Sequence, residues 1–202
     1  MLEDFKKSVE DSILIKKKLN SKKYKVLVKS IINLMFEKIK KKNKIFICGN
    51  GGSASDAQHL SAEFMVRLNP KKNRKPYPLI SLTADPTNIT AIGNDFGFDN
   101  LFKRNLEALG SKDDLLIVLS TSGNSRNILK VLKFAKKMNI FSIGFLGQKG
   151  GKAKEITDLN LIIPSNNVAR IQEAHMFLGH FILNQVEKKL MNSNNRSSTI
   201  NN

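Results

Sequence analysis

The sequence predicts an α/β protein, a three-layer sandwich around a five-stranded, mostly parallel sheet, with extra helices added at its N-terminus. Three observations lead there. Five short, apolar, β-rich runs recur along the chain (45–48, 77–82, 115–119, 141–145 and 159–163), and helical periodicity separates them. Two of these runs end in glycine- or serine-rich turns that lead into helices. At 202 residues and 41% hydrophobic content, the chain is long enough to bury one substantial core. Residues 1–190 are therefore expected to form a single domain, with a helical extension over about 1–43 and a disordered tail over 191–202.

Taken in order, residues 3–19 and 22–42 carry apolar positions three and four apart (Phe5, Val9, Ile13; Val28, Ile31, Ile32, Met35, Ile39) and read as two amphipathic helices. The first has little sheet left to cover, so it packs either on its own domain or on another subunit. Ile45 to Cys48 reads as a buried strand, broken by Gly49, Gly51 and Gly52 before a helix. A basic loop, Asn69 to Lys75, follows, and then a strand over Tyr77 to Leu82 entered through Pro76 and Pro78. A short helix starts at Pro86, and Gly93-Asn94-Asp95-Phe96-Gly97 has the composition of a functional loop. A helix over about 99–109 leads to the strand Leu115 to Leu119. Ser120-Thr121-Ser122-Gly123-Asn124-Ser125 comes next, before helical spacing resumes at Ile128. Strands at 141–145 and 159–163 flank a turn with a short helix, and a long helix over about 168–190 closes the fold. The final MNSNNRSSTINN is polar and low in complexity, which predicts disorder.

The formal net charge is +17, from 34 Lys and Arg against 17 Asp and Glu, which raises nucleic acid as a partner. The lysines, however, fall in runs on helices (Lys16 to Lys18, Lys38 to Lys42, Lys130 to Lys137), interleaved with Ile and Leu, and aromatics make up only 7% of the chain. Solvated helix faces explain such runs, with the charge at most steering an anionic substrate. Neither a signal peptide nor a membrane span is expected at the N-terminus, and the single Cys48 cannot form an internal disulfide, so a cytoplasmic setting is expected.

Two strand ends carry the chemistry. After the first strand, a glycine turn with Ser53 and Ser55 delivers the chain to a helix N-terminus, whose free N–H groups and dipole suit a phosphate. His59 and Glu63, four residues apart, then share one face of that helix, as a metal-binding or acid/base pair would. After the third strand, the hydroxyls of Ser120, Thr121, Ser122 and Ser125 offer a second clasp for a phosphate. The last helix carries Gln172, His175 and His180. His175 lies about 140° around the helix from His180, and Gln172 lies roughly 12 Å from His180 along the axis.

CGNGGSASDAQHLSAE, AIGNDFGF, LSTSGNS and ARIQEAHMFLGH, in this order, resemble the phosphoheptose isomerases of the sugar-isomerase (SIS) fold. The resemblance spans the chain up to about Leu190. It implies a cytoplasmic homotetramer with active sites at subunit interfaces and one zinc ion per subunit. The implied reaction is conversion of sedoheptulose 7-phosphate to D-glycero-D-manno-heptose 7-phosphate, the first step of ADP- or GDP-heptose synthesis for lipopolysaccharide or capsule. The implied metal ligands are His59, Glu63, Gln172 and His180. The implied sugar contacts are Asn50, Gly51, Gly52, Asn94 and Asp95, and the implied phosphate site is Ser120, Thr121, Ser122 and Ser125. Aldose–ketose exchange through an enediol needs a base at carbon and an acid at oxygen, for which Glu63 and His180 are the candidates. Whether Glu63 is base and ligand at once stays open. One regular helix cannot bring both Gln172 and His180 to one ion, so they come from different subunits or the helix starts irregularly.

Three other readings compete. One is a non-catalytic SIS tetramer that binds the replication initiator protein, which would not need the histidine and glutamate set. A dinucleotide-binding enzyme is another, but Gly49 to Ala54 fits its fingerprint only loosely, and a basic loop stands where the ribose-binding acid belongs. The third, nucleic-acid binding, would need the lysines gathered on one face.

Overall fold

The computed structural model describes residues 1–199, with side chains described as far as Ser193. Its elements run α1 (Leu2–Leu19), α2 (Lys22–Lys40), β1 (Ile45–Gly49), α3 (Gly52–Met65), β2 (Leu79–Ser81), α4 (Pro86–Phe96), α5 (Leu101–Leu109), β3 (Leu115–Ser120), α6 (Arg126–Lys137), β4 (Phe141–Gly147), β5 (Leu159–Ile163) and α7 (Val168–Thr199). The strands form one sheet in the order β2-β1-β3-β4-β5, and every pairing is parallel. β1 and β3 are buried along their whole length, as strands covered on both faces must be.

Alternation along the strands divides the core in two. Ile45, Ile47, Leu115 and Ile117 point to the face covered by α1, α2, α3 and α7, whereas Phe46, Cys48, Leu116 and Val118 point to the face covered by α5 and α6. Two carboxylates, Asp114 buried and Asp158 exposed, fix the strand starts. Asp114 accepts from the Lys44 and Ser111 amides at 2.8 and 2.9 Å and pairs with Lys44 Nζ, tying β1 to β3. Asp158 accepts from the Ser142 amide and hydroxyl at 2.7 and 2.8 Å, tying β4 to β5.

Several boundaries differ from the sequence expectation, each for a local reason. β2 is only three residues long, because Pro76 and Pro78 have no N–H to give to a ladder and the Tyr77 amide turns to the Phe64 carbonyl. The stretch expected as a loop at Gly93–Gly97 is helical through Phe96. Asp85 caps the start of α4, accepting from the Thr87 and Asn88 amides at 2.9 and 3.1 Å, and the helix continues until Gly97 takes φ +79°. α7 is assigned to Thr199, beyond the expected end near Leu190, and Ile200–Asn202 of the expected disordered tail lie outside the described residues. α1 is held to its own chain from Ser8 onward, with Ile15 and Leu19 buried and Arg170 donating to the Ser8 carbonyl and hydroxyl at 2.6 Å. Its first half leaves Leu2 and Phe5 more than two-thirds exposed. Among the described residues no helix is long and apolar enough to cross a membrane.

Candidate active site

The chain leaves β1 towards one face of the sheet, through α3, and leaves the neighbouring β3 towards the other, through α6. The carboxyl ends of β1 and β3 thus form a switch point, where parallel sheets open a crevice for ligands. Two amides bridge it. Asn50 Nδ2 donates to Asn127 Oδ1 and Asn127 Nδ2 donates to Asn50 Oδ1, both at 2.8 Å, so the loop after β1 is held to the first turn of α6. Asn127 also accepts from the Ile128 amide, and it is buried. Sequence reasoning missed this residue. Its only local signal was an Asn in the first turn of a helix, and its role follows from the adjacency of β1 and β3.

Each loop needs glycine at a particular point. Gly51 caps α3 with φ +55°, from which its carbonyl accepts the Ala54 amide at 2.9 Å. Ser53 is buried and Ser55 exposed in the first turn that follows. In the second loop Gly123, at φ +66°, lies so close to the next loop that a Cβ would stand 2.0 Å from the Gly150 carbonyl oxygen. Ser120 is buried and accepts from the Gly123 amide at 3.0 Å, and Ser122 accepts from the Asn124 amide at 3.2 Å. Ser125 caps α6 through its backbone alone, leaving its hydroxyl free of that duty, and Thr121 and Ser122 are half-buried beside it. Hydroxyls and helix-start amides therefore collect at the end of β3.

α3 and α7 run side by side in the same direction, and their register decides which side chains meet. Gly52 faces Gln172, Leu60 faces Gly179, and His59 faces His180. His59 Nε2 lies 2.9 Å from His180 Nε2 and 3.5 Å from Glu63 Oε1. One ligating atom from each of His59, Glu63 and His180 falls within 4.8 Å of the others. Two imidazole nitrogens aimed at each other beside a carboxylate make a donor set suited to a metal ion. Tetrahedral bonds of about 2.0–2.1 Å hold two nitrogens about 3.3 Å apart, so the set fits an ion after opening by a few tenths of an ångström.

Gln172 is not in that cluster. A Cβ on Gly52 would come 2.2 Å from its Nε2, which puts the amide at the first turn of α3, two turns before His59. α7 is already regular at Gln172, so an irregular helix start does not bring Gln172 and His180 together. Gln172 instead lines a hollow of about 880 Å³ with Asp56, Arg170 and Glu173, walled by Phe5 and Val9 of α1. Burial pushes the Asp56 carboxyl above its ordinary range, opposed by the nearby His59. Asn94 and Asp95 sit exposed in the last turn of α4, the Asn94 amide donating to the Asp95 carboxylate at 2.8 Å. His175 points the opposite way from His180, as its angular offset predicts. It is fully buried, 3.3 Å from the Leu146 carbonyl and with its ring tilted 59° against that of Phe145, and burial lowers its pKa to about 4, partly offset by that hydrogen bond.

A parallel five-stranded sheet with glycine- and serine-rich loops at its switch point and a His/Glu/His cluster between helices defines an SIS-type sugar-isomerase architecture. In keeping with this, the SIS domain profile matches residues 12–147. The phosphoheptose isomerase of Clostridium acetobutylicum is 43% identical over 183 residues, covering 90% of this chain and 92% of the relative. That of Aliarcobacter butzleri is 49% identical over 154 residues, covering 76% and 80%. A solved phosphoheptose isomerase from Francisella tularensis superimposes with a TM-score of 0.88 at 32% identity, over 93% of this chain and 98% of that one. The chain belongs to the phosphoheptose isomerase family of SIS-domain proteins.

Proposed function

We propose that the chain interconverts sedoheptulose 7-phosphate and D-glycero-D-manno-heptose 7-phosphate, the opening step towards nucleotide-activated heptose. The observation that carries this reading is the convergence of His59, Glu63 and His180, two of them on the helix that opens from the glycine loop after β1. A non-catalytic scaffold has no use for that convergence.

In this reading the phosphate rests on the hydroxyls of Ser120, Thr121, Ser122 and Ser125 and on the amides that open α6, where the helix dipole favours negative charge. Asn50, pinned by Asn127, presents its loop, with Gly51, Gly52, Ser53 and Ser55, to the sugar oxygens, and Asn94 and Asp95 reach the same sugar. Glu63 carries the proton between C1 and C2, passing through an enediol, and His180 gives and takes the proton at oxygen. Zinc, held by His59, Glu63, His180 and Gln172 at one ion per subunit, supplies electrophilic polarisation of the sugar carbonyl when bound.

Within one chain Gln172 and His180 face different turns of α3, so the Gln172 that completes a site is contributed by a neighbouring copy. A homotetramer with interface active sites satisfies this need. It would also cover the exposed first half of α1 and the exposed Phe177 and Phe181 on α7.

The test pairs substrate and assembly. The purified protein is expected to convert sedoheptulose 7-phosphate, and to convert sedoheptulose without its phosphate at least about 100-fold more slowly, since several charge-assisted hydrogen bonds are then lost. His180→Ala should lower turnover by about 100-fold or more. Sedimentation should give four chains of 22.7 kDa each. Equal turnover of the two sugars would overturn the phosphate assignment, and a monomer that turns over at full rate would overturn the shared site.

A further inference from the structure

We propose that Arg74 is a positioning residue for the acid/base pair: it locks the C-terminal end of α3, and with it Glu63, to the stretch of α7 that carries His180. The proposal rests on the catalytic reading of Glu63 and His180 given above. Sequence placed Arg74 in a basic loop, and the structure buries its guanidinium.

Three donor groups of Arg74 are engaged at once. Nε donates to Glu187 Oε2 at 2.7 Å, Nη2 donates to the Glu63 carbonyl at 3.1 Å, and Nη1 donates to the Lys75 carbonyl at 3.1 Å. The Arg74 and Glu187 side chains are 2% and 1% exposed, and the guanidinium lies over Tyr77 and Phe64, at 4.8 and 5.7 Å from the ring centroids. Helix ends leave their last carbonyls without helical partners. In α3 the Phe64 carbonyl is taken by the Tyr77 amide and the Glu63 carbonyl by Arg74. The residue that bears the base is therefore held by its own backbone.

The other end of the clamp is equally placed. Glu187 follows His180 by seven residues, two turns of α7, so the two project from the same helix face within about 20°. A rigid, planar fork thus spans from Glu63 on α3 to the face of α7 that presents His180. Stability alone does not account for this device. A buried ion pair is often no better than apolar packing of the same volume, and here Glu187 Oε1 and the Tyr77 hydroxyl are both buried without a hydrogen-bond partner. What the pair supplies is geometry, which catalysis at a two-helix site requires.

The test compares the zinc-loaded parent with Arg74→Lys and with the double variant Arg74→Met/Glu187→Leu, by melting temperature, kcat and KM. Cobalt(II) affinity, measured by visible absorption of the His59, Glu63 and His180 site, gives a readout independent of turnover. Lysine keeps the charge but cannot bridge Glu187 and the Glu63 carbonyl together. We expect Arg74→Lys to lower kcat and cobalt affinity by about 10- to 100-fold, with KM within about twofold. The double variant removes both buried charges, so its melting temperature should return to near the parent value while kcat and cobalt affinity stay low. Recovery of both along with stability would overturn the proposal, because the pair would then serve folding alone. Should the parent prove inactive on sedoheptulose 7-phosphate, the catalytic reading fails, and cobalt affinity decides by itself: a loss in Arg74→Lys supports the clamp, and parental affinity overturns it.

Discussion

Gly52 shows how one missing methyl group shapes a site. The Gln172 amide occupies the space where a Cβ would stand, and the obstructing atom is the tip of a flexible side chain, so it gives way more readily than backbone would. Gly52→Ala should therefore leave stability within about 1 kcal/mol of the parent and still displace Gln172, lowering turnover by about tenfold or more; calorimetry beside a rate measurement checks both halves. His175 makes a different kind of claim. Its folded pKa of about 4 lies below the ordinary 6.5, so the unfolded chain binds the proton more readily. The stability of the neutral, buried ring is fully present above about pH 6.5, is lost as pH falls towards 4, and changes no further below that. The size is on the order of 3 kcal/mol for a shift of this extent. Denaturant unfolding of the parent and of His175→Met should diverge in pH dependence across that window and run parallel above it.

At the scale of elements, the register between α3 and α7 decides the chemistry. Gly179 is buried because Leu60 packs onto it, a Cβ there meeting the Leu60 methyl groups at 2.7 and 2.8 Å. His180 follows immediately and reaches His59. Gly179→Val should push the helices apart, costing about 1–3 kcal/mol and weakening metal binding together with activity; a variant that binds metal as tightly as the parent would show that the helices yield elsewhere. Much of this was legible beforehand. Hydrophobic runs and breakers located the strands, most plainly β1 and β3, because a strand buried on both faces has no choice but to be apolar. The i,i+4 spacing of His59 and Glu63 placed both on one face, and the 140° offset of His175 turned it away from His180. What escaped was whatever depends on the partners an element finds. Asn127 matters only because β3 lies beside β1. Arg74 looked like one more loop cation until α7 brought Glu187 to it, and Asn94 and Asp95 read as a loop because their glycines hid the strong Asp85 cap. The placing of Gln172 depended on where α3 begins, which no spacing along α7 reveals.

For the whole molecule, the excess of 17 positive charges lies largely on exposed helix faces such as Lys16 to Lys18 and the lysines of α6. Charge of this kind attracts anions at long range. The two faces of the sheet differ, with α5 and α6 closing a core on one and α3 and α7 bringing together His59, Glu63 and His180 on the other. The central claim is that His59, Glu63 and His180 form the active centre of a heptose phosphate isomerase. It is tested most directly by turnover of sedoheptulose 7-phosphate, for the parent and for Glu63→Gln, each stripped by a chelator and then reloaded with zinc. The parent should lose turnover on stripping and regain it on reloading, while Glu63→Gln, folded and of the same oligomeric mass, stays inactive throughout. Turnover by Glu63→Gln at the parental rate, or none by a folded, zinc-loaded parent, would contradict it.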